Sequence, residues 1–165
     1  MATLGIRHAV LWVTDPQASA GFYRRALGLE VTSRVGTAVF MASPESNTDH
    51  DLGLFVAAGD AAPARHVGLY HLAWEVATLA ELAEAKVRLD AMGALVGENN
   101  HGTSRSLYCH DPDGIEFELM WEVPPELCDP DAVRNVPLDL DADIARWGAD
   151  CLSRGARPVT RAAKP

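Results

Sequence analysis

The sequence has only three cysteines, Cys109, Cys128 and Cys151, an odd number without the paired spacing of a zinc site. That excludes a disulfide framework and reads as reduced thiols in a cytoplasm. Basic residues are scarce: 14 Lys and Arg stand against 23 Asp and Glu, a net charge of -9. Without clustered cations to neutralise phosphates, nucleic acid is excluded as a partner. No apolar run approaches the roughly 18 residues of a membrane span. The start, Met1 to His8, lacks a basic region followed by an apolar stretch, so export is not expected. What remains is a globular balance, 48% hydrophobic and 22% charged. Its 165 residues suit one compact domain with an appendage.

The chain repeats itself. Gly5-Ile-Arg-His8-Ala-Val-Leu-Trp-Val13 returns as Gly68-Leu-Tyr-His71-Leu-Ala-Trp-Glu-Val76, with histidines at positions 8 and 71 each third after a glycine. Self-similarity of this kind fixes architecture. A helix follows each opening strand. Asp15-Pro16 reads as an N-cap with proline at the first helical position, and Gly28 as the stop. Thr78 and Glu81 form a capping box, Gly93 closes the second helix, and Leu82, Ala85, Leu89 and Met92 recur at helical spacing. Strands follow at 29–32, 38–41 and 52–57, then at 94–97, 106–110 and 115–123. Asp111-Pro112-Asp113-Gly114 makes the final hairpin turn.

The predicted fold is α+β: two βαβββ repeats, about 4–57 and 68–123, pairing mixed sheets around a metal-binding cleft in a domain spanning 1–123. Residues 124–165 form an extension. It has one helix from Asp141, with Ile144, Trp147 and Cys151 on one side, that docks on the domain or on a second copy. A mobile tail runs from Arg154 to Pro165. Paired-sheet folds with such a helix commonly associate, so a homo-oligomer is expected.

Period-2 alternation assigns faces in the strands. Glu116, Glu118, Met120 and Glu122 share one face of the last strand, opposite the apolar Ile115, Phe117, Leu119 and Trp121 that must pack on helix. His71 shares a face with Ala73 and Glu75. Singly, each histidine reads as a buried imidazole and Glu118 as a solvated charge. Their equivalence in two copies favours a metal site instead, with His8, His71 and Glu118 as ligands. Two imidazoles and one carboxylate with open positions suit non-haem Fe(II) oxygenases.

This pattern resembles the vicinal oxygen chelate superfamily over residues 4–123; that superfamily includes glyoxalases, fosfomycin-resistance enzymes, bleomycin-binding proteins and type I extradiol dioxygenases. Glyoxalases take four ligands, two from each half. Glu118 lies 47 residues after His71, and the position as far after His8 is Phe55, so the fourth ligand is missing. The run Asn99-Asn100-His101, five residues, Leu107-Tyr108, two residues, Asp111-Pro112-Asp113-Gly114 and Glu118 is similar to the extradiol signature.

The resemblance implies a catechol-type diol and O2 as substrates, with Fe(II), alternatively Mn(II), as the metal. It makes His50 the acid–base residue and gives His101 and Tyr108 the substrate oxygens to orient. Trp12, Phe40 and Phe55 are candidate cleft walls. Two alternatives carry different chemistry. A fosfomycin-resistance-like transferase needs cationic groups for a phosphonate, and Arg105 is the one basic residue between 99 and 118. A metal-free protein that binds an aromatic drug would tolerate loss of the ligands.

Overall fold

The structure, a computed structural model, describes residues 6–58, 68–129, 131 and 135–156. Residues 4 and 5 of the first repeat and 157–165 of the expected tail lie outside the described residues. The chain divides into two compact units: residues 1–67 with 111–115, and 68–110 with 116–165.

The first unit runs β1 (Ala9–Val13), α1 (Pro16–Leu27), β2 (Glu30–Val35), β3 (Ala38–Ala42) and β4 (Leu52–Val56). Its sheet has the order β1-β4-β3-β2, with β1 and β4 parallel and the other pairs antiparallel. Helix α1 begins where Asp15 accepts hydrogen bonds from the N–H groups of Gln17 and Ala18, and it ends at Gly28 in the left-handed region, φ 72°. Leu11, Val13, Val39, Met41, Leu52 and Leu54 on one side of the sheet, with Phe22, Tyr23 and Ala26 of α1, form its core.

The Asp111–Ile115 turn belongs to this unit. Asp111 accepts hydrogen bonds from the N–H groups of Asp113 (2.9 Å) and Ile115 (2.8 Å) and from the Tyr23 hydroxyl (2.9 Å). Burial nevertheless outweighs these bonds and holds the Asp111 carboxyl above its ordinary value. Burial, then the Asp111 charge, drives the Tyr23 phenol far up. A raised carboxyl favours the folded state most at low pH, below the unfolded value of about 4, and that contribution is lost as pH rises through the folded value. Asp111→Asn is therefore expected to remove a stability loss that the parent chain shows across that window. Urea titrations of both proteins at several acidic pH values measure it; parallel pH profiles would contradict it.

The second unit repeats the first: β5 (Leu72–Glu75), α2 (Leu79–Ala91), β6 (Leu95–Asn100), β7 (Ser104–His110) and β8 (Glu116–Glu122). Its sheet order is β5-β8-β7-β6, again with the first pair parallel. The copies agree down to an irregularity of register, between Val31 and Ser33 in one and between Leu95 and Gly97 in the other. The capping box of Thr78 and Glu81 starts α2. Leu79, Leu82, Ala85 and Leu89 bury its inner face, while Met92 lies past the last turn. The α+β, twice-βαβββ fold read from the sequence is the fold observed.

The extension packs on this second unit. Helix α3 (Leu140–Trp147) is capped by Asp139, which accepts from the N–H of Ala142, so it starts one residue before the expected Asp141. Trp147 stacks on the buried Trp121 at 5.6 Å between ring centroids. Beyond it, the first residues of the expected mobile tail are tied down. The Ser153 hydroxyl donates a hydrogen bond to Glu75, the Gly155 N–H donates to the same carboxylate at 2.8 Å, and the Arg154 N–H donates to the Glu122 carbonyl at 3.1 Å. These bonds tie residues 153–155 to Glu75 of β5 and to the end of β8. A Cβ at Gly155 would occupy the space of the Glu75 carboxylate. Gly155→Ala should displace that carboxylate and cost about 1–3 kcal/mol in lost hydrogen bonds, measured by chemical denaturation.

Candidate metal and substrate site

The register of the second sheet brings three of the six candidate residues, His71, Tyr108 and Glu118, to one face. Strand β5 sets Ala73 opposite Glu118, and β7 sets Tyr108 opposite the same residue. With side chains alternating along each strand, His71, Glu116, Glu118 and Tyr108 therefore rise from one face. His71 Nε2 lies 3.1 Å from Glu118 Oε2, and its Nδ1 lies 3.3 Å from Glu116 Oε1. Glu118 is 7% exposed. A buried carboxylate with a histidine nitrogen as partner is costly to maintain unless a cation shares it.

The spacing within this pair is that of two ligands on one divalent ion, although no group of three or more His, Cys, Asp or Glu among the described residues is placed to hold one. Two ligand atoms bound to one ion at about 2.0–2.2 Å and at right angles stand roughly 3 Å apart, which is the His71–Glu118 spacing. Glu116 sits where a carboxylate accepts the proton of the other imidazole nitrogen, fixing tautomer and ring orientation. Alternation alone puts Glu116 on this face, and its position two residues before Glu118 is the sequence signal for a place beside His71.

Beside this pair stands a second one. His101 Nε2 is 2.8 Å from the Tyr108 hydroxyl, and His101 Nδ1 is 2.8 Å from Asn135 Oδ1. The Tyr108 ring centroid lies 5.8 Å from that of His71. Burial, then the Glu118 charge, holds the Tyr108 phenol above its ordinary value, so it stays protonated and able to donate. Nothing in the sequence pointed to Asn135, which lies 34 residues from its partner.

In the first unit, β1 resolves an ambiguity of the sequence, where both faces looked apolar. Leu11 and Val13 are buried while Val10 and Trp12 are exposed, so His8, two residues before Val10, falls on the outer side. There its ring lies 4.4 Å from that of His50. His50 in turn lies 5.0 Å from Phe40, which meets Phe55 at 5.7 Å; Trp12 meets Phe55 at 5.9 Å. The candidate acid–base residue, one candidate ligand and the three candidate wall residues thus occupy one surface of this unit. The loop before β4 is set by Asp51, which accepts from the Ser43 N–H (2.8 Å) and the Ser46 and Thr48 hydroxyls (2.7 Å each). Burial opposes ionisation of Asp51, but these bonds and the nearby His50 lower its pKa overall.

Strand register also corrects the place of the missing fourth ligand. Val10, two after His8, pairs with Gly53, as Ala73, two after His71, pairs with Glu118. The equivalent of Glu118 is therefore Gly53 and not Phe55, because β4 comes two residues sooner after its histidine than β8 does. A Cβ on Gly53 would already lie 3.3 Å from Val10 and 3.6 Å from Phe40. Apolar side chains thus crowd the first atom that a ligand side chain at this position would place.

Arg105, the cation that a phosphonate would require, is committed elsewhere. It projects from the opposite face of β7 and is 4% exposed. Its Nε and Nη2 donate to the two oxygens of Asp143 at 2.5 and 2.8 Å, and its guanidinium lies 5.1 Å from the Trp147 ring centroid.

The profile of the Glyoxalase/Bleomycin resistance protein/Dioxygenase superfamily matches residues 5–119. The chain belongs to that superfamily. It is 29% identical over 124 residues to the catechol-2,3-dioxygenase of Bacillus subtilis (strain 168), covering 72% of this chain and 42% of that one. It is 31% identical over 118 residues to the biphenyl-2,3-diol 1,2-dioxygenase 3 of Rhodococcus globerulus, covering 69% and 61%. The chain thus spans about half the length of these curated relatives. Among solved structures, the glyoxylase/bleomycin resistance protein/dioxygenase domain from Frankia sp. EAN1pec aligns with a TM-score of 0.63 at 22% identity, over 74% of this chain and all of that one. The fosfomycin resistance protein FosX from Listeria monocytogenes aligns with a TM-score of 0.58 at 23% identity, over 72% and 93%. At such identities these two likenesses establish the fold alone. None of the described helices is long and apolar enough to cross a membrane.

Proposed function

We propose that this superfamily member is a metal-dependent extradiol dioxygenase that opens the ring of a catechol-type, substituted or bicyclic, diol with O2. The supporting observation is the shared face of the second sheet. A ligand pair, His71 and Glu118, stands next to a hydrogen-bonding pair, His101 and Tyr108, suited to a substrate hydroxyl. In this reading His8, His71 and Glu118 hold Fe(II), alternatively Mn(II). The bound ion supplies the Lewis acidity that lowers the pKa of a coordinated hydroxyl and the redox capacity that O2 chemistry needs.

The remaining work falls to side chains. Tyr108 hydrogen-bonds and orients a diol oxygen, with His101 holding the phenol in place. His50, next to His8, takes and returns a proton during ring opening. Trp12, Phe40 and Phe55 offer edge-to-face surfaces to an aromatic ring. The transferase reading is weaker, since Arg105, the one Lys or Arg between residues 99 and 118, is buried against Asp143.

Oxygen uptake tests this. Protein loaded anaerobically with Fe(II) and given catechol or 2,3-dihydroxybiphenyl should consume O2 and form a yellow ring-opened product. Tyr108→Phe should reduce kcat by about 10²-fold, the size of a lost orienting contact. Metal binding without uptake across a broad catechol panel would count against the dioxygenase, and absence of metal binding would leave a binding protein.

A further inference from the structure

The C-terminal extension reaches the proposed site through a single side chain. We propose that Asn135 is a positioning residue that fixes His101 as the Nδ1–H tautomer and thereby sets the direction of the hydrogen bond to Tyr108. This rests on the dioxygenase reading for its consequence, but the hydrogen-bond assignment stands on geometry.

Asn135 has φ 59°, in the left-handed region that asparagine enters more readily than most residues. Its neighbour Val136 pairs with Asn100 through two backbone hydrogen bonds, Asn100 N–H to the Val136 carbonyl (3.0 Å) and Val136 N–H to the Asn100 carbonyl (3.2 Å). The loop is thereby pinned beside His101. Asn135 Oδ1 faces two nitrogen groups, His101 Nδ1 at 2.8 Å and the Asn99 side-chain amide, which donates at 3.4 Å. With its oxygen placed on this side, where the Asn99 amide also donates to it, Asn135 accepts, and this orientation puts the imidazole proton on Nδ1. Nε2 then carries a lone pair and accepts from the Tyr108 hydroxyl at 2.8 Å.

The consequence is a polarity. With its proton directed at His101, Tyr108 presents oxygen lone pairs to the open face, where a substrate hydroxyl can donate. In the other tautomer Nε2 would donate, and Tyr108 would present its proton instead. The extension therefore acts on the site without contributing a group that touches substrate.

Nitrogen-15 NMR of the histidine side chains in the metal-free full chain, at a pH where the ring is neutral, reads the tautomer directly. The parent protein should show His101 protonated at Nδ1. Asn135→Gly keeps the left-handed backbone but removes the acceptor, and should shift His101 toward the Nε2–H form. Asn135→Asp, which retains an acceptor oxygen, should restore Nδ1–H. In steady-state assays Asn135→Gly should lose roughly ten- to a hundredfold in kcat with Mn(II) affinity unchanged, and Asn135→Asp should recover most of it. An Nε2–H ring in the parent, or the same ring state in parent and Asn135→Gly, overturns the proposal. An absence of ring cleavage in all three proteins, with the tautomer pattern as stated, overturns the dioxygenase reading while upholding the role of Asn135.

Discussion

Glu118→Gln protein is expected to bind Fe(II) or Mn(II) at least about 100-fold more weakly and to lose metal-dependent O2 uptake. The substitution keeps the shape of the side chain and a hydrogen-bonding partner for His71 Nε2, 3.1 Å away in the parent. What it removes is the negative charge that a divalent cation requires of this ligand. That charge is buried, and removing it relieves a desolvation cost in the metal-free protein. The metal-free variant should therefore melt no lower than the parent, which separates a lost ligand from a damaged fold. Glu116→Gln is a graded companion. Loss of the carboxylate beside His71 Nδ1 should weaken binding by about 10–100-fold and leave the first ligands in place. Titration calorimetry with Mn(II) measures both. Unchanged affinity in Glu118→Gln would remove this residue from the ligand set.

The second large effect is on stability. Arg105→Ala should cost about 3–5 kcal/mol, because it strands the Asp143 carboxylate without its bidentate partner. For a chain of this size that corresponds to a drop in Tm of roughly 6–20 °C. The double variant Arg105→Met with Asp143→Leu should recover most of the loss, since replacing both charges with apolar groups leaves nothing unpaired. Thermal melts of the two singles and the double form a cycle whose coupling term isolates the pair. Because Asp143 lies on α3 and Arg105 on β7, the same experiment tests how strongly the extension is bound to the second unit. A loss below about 1 kcal/mol, the size of a surface pair, would mean that the pair is solvated in solution.

Much of this molecule was legible in its sequence, and the legible parts share a cause. Helix ends are local: Asp15, Gly28, Thr78 and Glu81 act within a turn or so of their own position, and each does what its residue type dictates. Strand faces follow from alternation, so Glu118 could be assigned to the side of His71 before any pairing was known. The repeat of His8 by His71 carried the architecture, because two copies of one βαβββ pattern form two copies of one sheet order.

Tertiary structure decided what depends on pairing between distant segments. Register moved the absent fourth ligand from Phe55 to Gly53, a shift of two residues that counting along the chain could not detect. Arg105 is the one Lys or Arg between 99 and 118, and only the fold shows that Asp143, 38 residues away, holds it. Asn135, in a stretch without periodicity, met His101 only because Val136 pairs with Asn100. Local hydrogen bonds and side-chain periodicity are written in residue order. The partner that satisfies a buried charge or a ring nitrogen is chosen by the fold as a whole.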